Sequence, residues 1–235
     1  MKFSRDIHAE PKAPEVASTP GKQNYKVLLA GATGLVGGEI LRLLADDPTV
    51  TEIRALTRRP LPPTLPAGVQ QCLVDFDCLD KHVQLFDVDW VICALGTTMK
   101  KAGSRQAFRV IDFDYPLKIA QMGFARGARN LLLVSALGAN ANSHFFYNRV
   151  KGDLEETAGA LGYRSLTIAR PSLLLGKRND DRRRGEEWAK RVSWLMPRPL
   201  RAVQASTVAR ALVESAHAER PGKHILSNAS LVAHE

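Results

Sequence analysis

Gly31-Ala32-Thr33-Gly34-Leu35-Val36-Gly37 is the stretch that most narrows what this chain can be. It follows directly on Val27-Leu28-Leu29-Ala30, an apolar run of the length of one buried strand. From Leu35 onward the apolar period becomes that of a helix, with Ile40, Leu41 and Leu44 on one side. Strand, glycine turn and helix in that order give the G-x-x-G-x-x-G spacing a structural context. Gly31 permits a tight turn, Gly34 leaves room for a pyrophosphate, and Gly37 lets the helix pack close to the strand. The unpaired N–H groups and positive dipole end of that helix then face the phosphates. The plainer alternative is a glycine-rich turn of some other α/β protein.

At 235 residues the chain is long enough for one large doubly wound domain. Residues 1–24 mix charges with Pro11, Pro14 and Pro20 and show no period, so they read as a flexible arm. Residues 25–235 then form a single domain. No run is long enough to span a bilayer, and the polar N-terminus lacks a signal-peptide core, which predicts a cytoplasmic protein. Cys72, Cys78 and Cys93 lack metal-ligand spacing and read as small core residues. The formal charge of +9 suits a polyanionic partner such as a phosphorylated cofactor, a nucleic acid or a membrane surface. The basic clusters come without aromatic platforms, which argues against specific nucleic-acid recognition.

A second strand near residues 52–56 leads into Thr57-Arg58-Arg59-Pro60, where such a fold meets the adenosine ribose. An acidic residue there would bind the 2′-hydroxyl. Arg58 and Arg59 instead offer guanidinium forks for a 2′-phosphate, at about 1.5–3 kcal/mol per charge-assisted contact. The sequence therefore predicts NADP(H) over NAD(H); two solvated loop arginines are the bland reading. After a third strand at residues 68–74, Asp75 is placed to accept from the adenine amino group, with Phe76 beside it. Helix capping by Asp77 or Asp80 is an equal alternative for this acidic cluster. Another buried strand at residues 90–95 ends in Leu95-Gly96-Thr97-Thr98, which can line a ribose or phosphate. Residues 104–123 have helical spacing, with a kink predicted at Pro116 and Asp114 as a cap beyond it.

The strand at residues 130–134 delivers Ser135, and twelve residues later come Tyr147 and Lys151. Four apart on a helix, Tyr147 and Lys151 stack on one face. A free tyrosine, with a pKa of about 10, is too weak an acid for proton transfer at neutral pH. A nearby ammonium lowers that value and can also hold ribose hydroxyls. With Ser135 positioning a carbonyl oxygen, the three suit general acid catalysis alongside hydride transfer.

These strings resemble the short-chain dehydrogenase/reductase superfamily, and Gly-Ala-Thr-Gly with Ala169-Arg170-Pro171-Ser172 points to its extended or atypical branches. Leu95-Gly96-Thr97-Thr98, Val110-x-Asp112-x-Asp114, Phe146-Tyr147-x-x-Val150-Lys151-Gly152 and Gly185-Glu186-x-Trp188 are similar to the Tat-interacting-protein oxidoreductases and their bacterial relatives. The resemblance covers about residues 25–230. It implies a Rossmann-like doubly wound parallel sheet with a small C-terminal substrate lobe, NADPH/NADP as cofactor, and Ser135, Tyr147 and Lys151 as the catalytic set. The backbone of Pro171, Ser172 and Leu173 would meet the nicotinamide carboxamide. With Gly31, Thr33, Gly34, Leu35, Val36 and Gly37 at the phosphates, these complete the candidate cofactor-binding set. Ala136 stands where eukaryotic relatives carry a second serine, and Asp112 replaces the usual asparagine, which gives it at most an indirect role.

Residues 177–184 form a charge cluster with Arg182, Arg183 and Arg184, read as a solvated loop or an acidic-partner patch. Residues 186–196 read as a helix whose Trp188 and Trp194 belong to an apolar lid, core or partner surface. Ser206 is expected to cap a final helix through Val213, and residues 224–226 to form a closing strand. The expected function is NADP(H)-dependent conversion of a small, apolar carbonyl or alcohol. An NADPH-binding redox sensor with a protein partner is the alternative, and the sequence is compatible with a homodimer.

Overall fold

Neighbouring residues of the central strands serve opposite sides of one sheet. Val27 and Leu29 pack into one hydrophobic cluster, while Leu28 and Ala30 pack into the other. The same division holds for Ile92 against Val91 and Cys93, and for Leu132 against Leu131 and Leu133. A strand buried on both faces has no polar side to show, which is why these segments read as continuous apolar runs. The computed structural model describes residues 24–61, 66, 68–176 and 200–233.

Seven parallel strands form the sheet: β1 (Tyr25–Ala30), β2 (Val50–Thr57), β3 (Val69–Leu73), β4 (Trp90–Cys93), β5 (Asn130–Val134), β6 (Ser165–Arg170) and β9 (Gly222–Ser227). Their order is β3-β2-β1-β4-β5-β6-β9, so the direction of winding reverses beside β1. Helices α1 (Leu35–Ala45) and α6 (Ala205–Ala218) cover one face, with α7 (Asn228–Ala233) beyond them. Helices α4 (Tyr115–Ala125) and α5 (Phe146–Gly159) cover the other, together with a 3-10 segment, Phe76–Phe86. This is a Rossmann-like doubly wound fold. A separate two-stranded ribbon pairs β7 (Leu174–Leu175) with β8 (Val203–Gln204) in parallel. The expected N-terminal arm through residue 23, the arginine cluster at 182–184 and the tryptophan helix at 186–196 lie outside the described residues.

Several local expectations change. Residues 104–123 are not one kinked helix. Two short helices, α2 (Met99–Ala102) and α3 (Arg105–Arg109), lead into a π-helical turn, Val110–Asp114, and then α4. Pro116 follows that turn, in a backbone that is helical on both sides of it, and the π-helical turn accommodates its missing N–H. The irregularity falls upstream instead: the Tyr115 N–H bonds Val110 O, five residues back. Asp114 makes no side-chain cap. Ser206 caps nothing either; Gln204 is the N-cap of α6, without a side-chain bond. In the acidic cluster the cap is Asp75 rather than Asp77 or Asp80, its carboxylate accepting from the Asp77 N–H at 3.0 Å.

Gly37 carries the tightest packing requirement of the turn. A Cβ there would lie 2.1 Å from Gly31 O and 2.6 Å from Gly31 C. We therefore expect Gly37→Ala to destabilise the fold by about 1–3 kcal/mol, the range for overpacking a filled site. Urea unfolding of the two proteins measures it, and an unchanged midpoint would contradict the packing argument.

Candidate active site

Ligands of doubly wound sheets bind at the carboxyl ends of the strands where the winding reverses. Here that point lies between the turn after β1 and the loop after β4. Gly31 adopts φ +96°, and a Cβ on it would strike Ala94 O at 2.5 Å. The two loops are thus in backbone contact. Gly34 is the N-cap of α1, with no side-chain bond to the helix and no acidic residue in the first turn. The opening N–H groups are left for an anion, the donor set a diphosphate needs. Thr33 is exposed, Leu35 half-buried and Val36 buried beside this turn.

A cleft of about 460 Å³ is lined by residues that include Arg58, just after β2, with Asp77, Val110, Ile111 and Tyr115. Arg58 and Arg59 are exposed, and neither guanidinium has an ion-pair or hydrogen-bond partner among the described residues. The Gln71 side chain shapes their turn, donating to Thr57 Oγ1 at 2.9 Å and to Arg59 O at 3.1 Å. At the other end the Tyr115 hydroxyl donates to Asp77 Oδ1 at 2.7 Å. Burial first, and then Asp77, push this phenol up to about 12. Phe76 is buried, with its ring 5.3 Å from that of Tyr115. Asp75 has one oxygen engaged by its own helix, and its role at an adenine is an open acceptor position only.

The loop after β4 leads to the centre of the site. Gly96 lies against two buried charges: a Cβ there would sit 3.4 Å from Asp112 Oδ1 and 3.8 Å from Lys151 Nζ. Lys151 Nζ and Asp112 Oδ1 are 2.7 Å apart, with side chains 4% and 1% exposed. Asp112 Oδ2 accepts from the Thr97 N–H at 2.9 Å. Oδ1, although in contact with the ammonium, has no partner in hydrogen-bond geometry and keeps a lone pair open. The π-helical turn places Asp112, so the residue expected to act at a distance touches the lysine directly. Thr98 is taken as the cap of α2, accepting from the Lys101 N–H.

One turn before Lys151, Tyr147 stands at the mouth of the site, 37% exposed. Its ring is 5.4 Å from that of Phe108. Burial raises its pKa; Lys151 pulls it down and Asp112 pushes it back up, leaving it above the ordinary value. The ammonium alone was expected to lower it. Burial outweighs the ammonium, and Asp112, from a segment remote in the sequence, adds a smaller push in the same direction as burial. Cys93, at the end of β4, is buried against the same pair, and burial carries its thiol to about 11.

Ser135 is not joined to Tyr147 in this arrangement. It is buried, and its hydroxyl donates to Glu155 Oε1 at 2.5 Å. Glu155, one turn beyond Lys151 on the same helical face, is 1% exposed and takes three contacts from two nitrogens of Arg170. Sequence reasoning missed both partners. The available signal was a carboxylate inside the buried stripe of Leu154 and Ala158. Ser172 is likewise engaged, its N–H with Asn228 Oδ1 at 2.8 Å and its hydroxyl with Arg201 O at 2.5 Å. Pro171 O accepts from the Leu137 N–H, and Leu173 is exposed.

No protein-family model matches the chain. It is similar to protein HTATIP2 of Rattus norvegicus, 34% identical over 199 residues, covering 82% of this chain and 81% of that protein. Protein FMP52, mitochondrial, of Candida albicans is 32% identical over 198 residues, covering 80% of this chain and 86% of that one. Among solved structures, MoeE5 in complex with UDP-glucose and NAD superposes with a TM-score of 0.66 at 17% identity, over 85% of this chain and 74% of that one. The Bordetella bronchiseptica enzyme WbmH in complex with NAD+ gives 0.67 at 14% identity, over 87% and 76%. These likenesses concern the fold. The relatives also correct one expectation: several are named mitochondrial, which overturns the cytoplasmic location read from the polar N-terminus. Among the described residues no helix is long and apolar enough to cross a membrane.

Proposed function

Since the chain belongs to the family of HTATIP2 and the FMP52 proteins, among the atypical short-chain dehydrogenase/reductases, we propose that it is an NADP(H)-dependent oxidoreductase acting on a small, apolar carbonyl or alcohol. The observation that carries this reading is a convergence at one end of the sheet. The uncapped helix start follows β1, the two arginines without described partners follow β2, and the buried lysine lies against Gly96 in the loop after β4.

The residues fit a dinucleotide. The Gly31–Gly37 turn and the opening N–H groups of α1 would hold the diphosphate. Arg58 and Arg59 would take the 2′-phosphate at the edge of the 460 Å³ cleft, with the adenine against Ile111 and Tyr115. Lys151 carries three N–H donors, and Asp112 Oδ1, 2.7 Å from it, has an open lone pair. Together they suit a ribose diol. A bound nicotinamide supplies or accepts hydride. The Tyr147 phenol gives its proton to the carbonyl oxygen, and Lys151 stabilises the phenolate left behind. Ser135, with its proton on Glu155, can offer a ligand only a lone pair, so we assign it to holding α5 in place.

Binding of NADPH and NADH to the full chain, followed by nicotinamide fluorescence, tests this reading. NADPH is expected to bind more tightly. Arg58→Ala should weaken NADPH by roughly tenfold or more, the equivalent of one charge-assisted contact, and leave NADH nearly unchanged. Equal weakening of both would remove the phosphate assignment, and binding of neither would remove the cofactor.

A further inference from the structure

Resting on the dinucleotide reading above, we propose that Asp77 selects the base of the cofactor. Its carboxylate, steadied by the Tyr115 hydroxyl, accepts from the adenine 6-amino group, a task the sequence pattern assigns to Asp75.

The chemistry of the ligand fixes where the base must lie. The 2′-phosphate and the base sit on neighbouring carbons of one ribose, so the group that holds the phosphate borders the base as well. Arg58 lines the cleft of about 460 Å³, and Asp77 and Tyr115 line the same cleft. Val110 and Ile111 of the π-helical turn add aliphatic surface to the Tyr115 ring, the kind of wall a flat purine needs. Such walls give contact but no choice of base; choice needs a fixed polar atom. Ser104, also on the cleft, is spent as the cap of α3, accepting from the Ala107 N–H at 3.0 Å. Gln106 is exposed and has no partner among the described residues to fix it.

Asp77 is fixed at both backbone and side chain. Its N–H donates to Asp75 Oδ1 at 3.0 Å, and its own Oδ1 accepts from the Tyr115 hydroxyl at 2.7 Å. The Tyr115 ring is in turn set against buried Phe76, 5.3 Å away. Asp77 Oδ2 has no partner among the described residues and remains as an acceptor. The neighbouring carboxylates do not compete. Asp75 caps its own 3-10 segment and does not line the cleft, and Asp80 is paired with Lys118 at 2.7 Å. An ionised carboxylate only accepts hydrogen bonds. At position 6 adenine offers an amino donor, whereas guanine offers a carbonyl oxygen that a carboxylate repels. Arg58 for an anion and Asp77 for a donor thus give the cleft two opposite demands, and a 2′-phosphorylated adenosine meets both.

The full chain is titrated with NADPH and with the analogue in which hydrogen replaces the adenine 6-amino group, both followed by nicotinamide fluorescence. Wild type is expected to bind NADPH about tenfold or more tightly than the analogue, the equivalent of one charge-assisted contact. In Asp77→Ala, NADPH should fall to the level of the analogue, so that the ratio approaches one. A carboxylate that merely steadied Tyr115 would weaken both compounds alike and leave the ratio as in wild type. That outcome overturns the proposal, as does a wild-type ratio near one. A ratio that survives in Asp77→Ala but collapses in Asp75→Asn would give the base to Asp75 and overturn it too. Should Asp77→Ala fail to fold, Asp77→Asn decides. Its acceptor is uncharged, so the ratio should drop several-fold, and a ratio equal to wild type overturns the proposal. Failure of the cofactor reading looks different: neither compound binds wild type, and this assignment goes with it. Failure of the phosphate reading alone would show as equal binding of NADPH and NADH, with the base ratio intact and Asp77 upheld.

Discussion

Tyr147→Phe is expected to reduce turnover by about 10²–10⁴-fold while leaving NADPH affinity within a small factor. The substitution removes one oxygen and keeps the ring, which lies 5.4 Å from Phe108 and stays in place by that packing. Lys151 and Asp112 remain paired at 2.7 Å, so the proposed ribose site is undisturbed. What is lost is the only hydroxyl we assign to the carbonyl oxygen, since the Ser135 proton is held by Glu155. The measurement is NADPH oxidation on whichever of a panel of aliphatic and aromatic aldehydes and ketones the wild type reduces best. NADPH binding is titrated alongside. Turnover within a few-fold of wild type would remove Tyr147 as the acid. The wild-type reduction rate should also be flat through neutral pH and fall in alkali. Tyr147 loses its proton only above the ordinary tyrosine range, where it ceases to be an acid.

What could be read from the sequence was local. The run Val27-Leu28-Leu29-Ala30 and the strand at residues 130–134 announced themselves because a parallel strand covered on both sides is apolar throughout. The glycine turn was legible because each glycine answers a steric demand between neighbours in sequence, as the 2.1 Å approach at Gly37 shows. Tyr147 and Lys151 were legible as one helical face. The pairings across the fold were not. Asp112 and Lys151 are 39 residues apart and meet only in the fold, Asp112 reaching the lysine from a π-helical turn just ahead of Pro116. Pattern at Pro116 predicted a kink in a helix; it could not predict that the irregularity would fall one turn earlier and aim a carboxylate inward. Ser135 shows the same limit. Its position at the end of β5 was foreseeable, but the direction of its hydroxyl depended on Glu155 and on Arg170 from the next strand.

Glu155→Ala and Arg170→Met are expected to destabilise the protein by about 3–5 kcal/mol, a large share of the roughly 5–15 kcal/mol that holds a domain folded. Glu155 is 1% exposed and joins three elements: its own α5, Ser135 at the end of β5 and Arg170 on β6. Removing the carboxylate leaves a guanidinium whose side chain is 30% exposed, bordering a polar cavity of about 280 Å³. Water can reach it there, so Glu155→Ala should fall toward the lower end. Removing the guanidinium instead leaves a charge with almost no exposure, and Arg170→Met should fall toward the upper end. Urea unfolding of the two variants beside wild type measures both effects. Stabilities equal to wild type would mean that this pair does not anchor α5. The helix that carries Tyr147 and Lys151 would then owe its position to the apolar stripe of Val150, Leu154 and Ala158 alone.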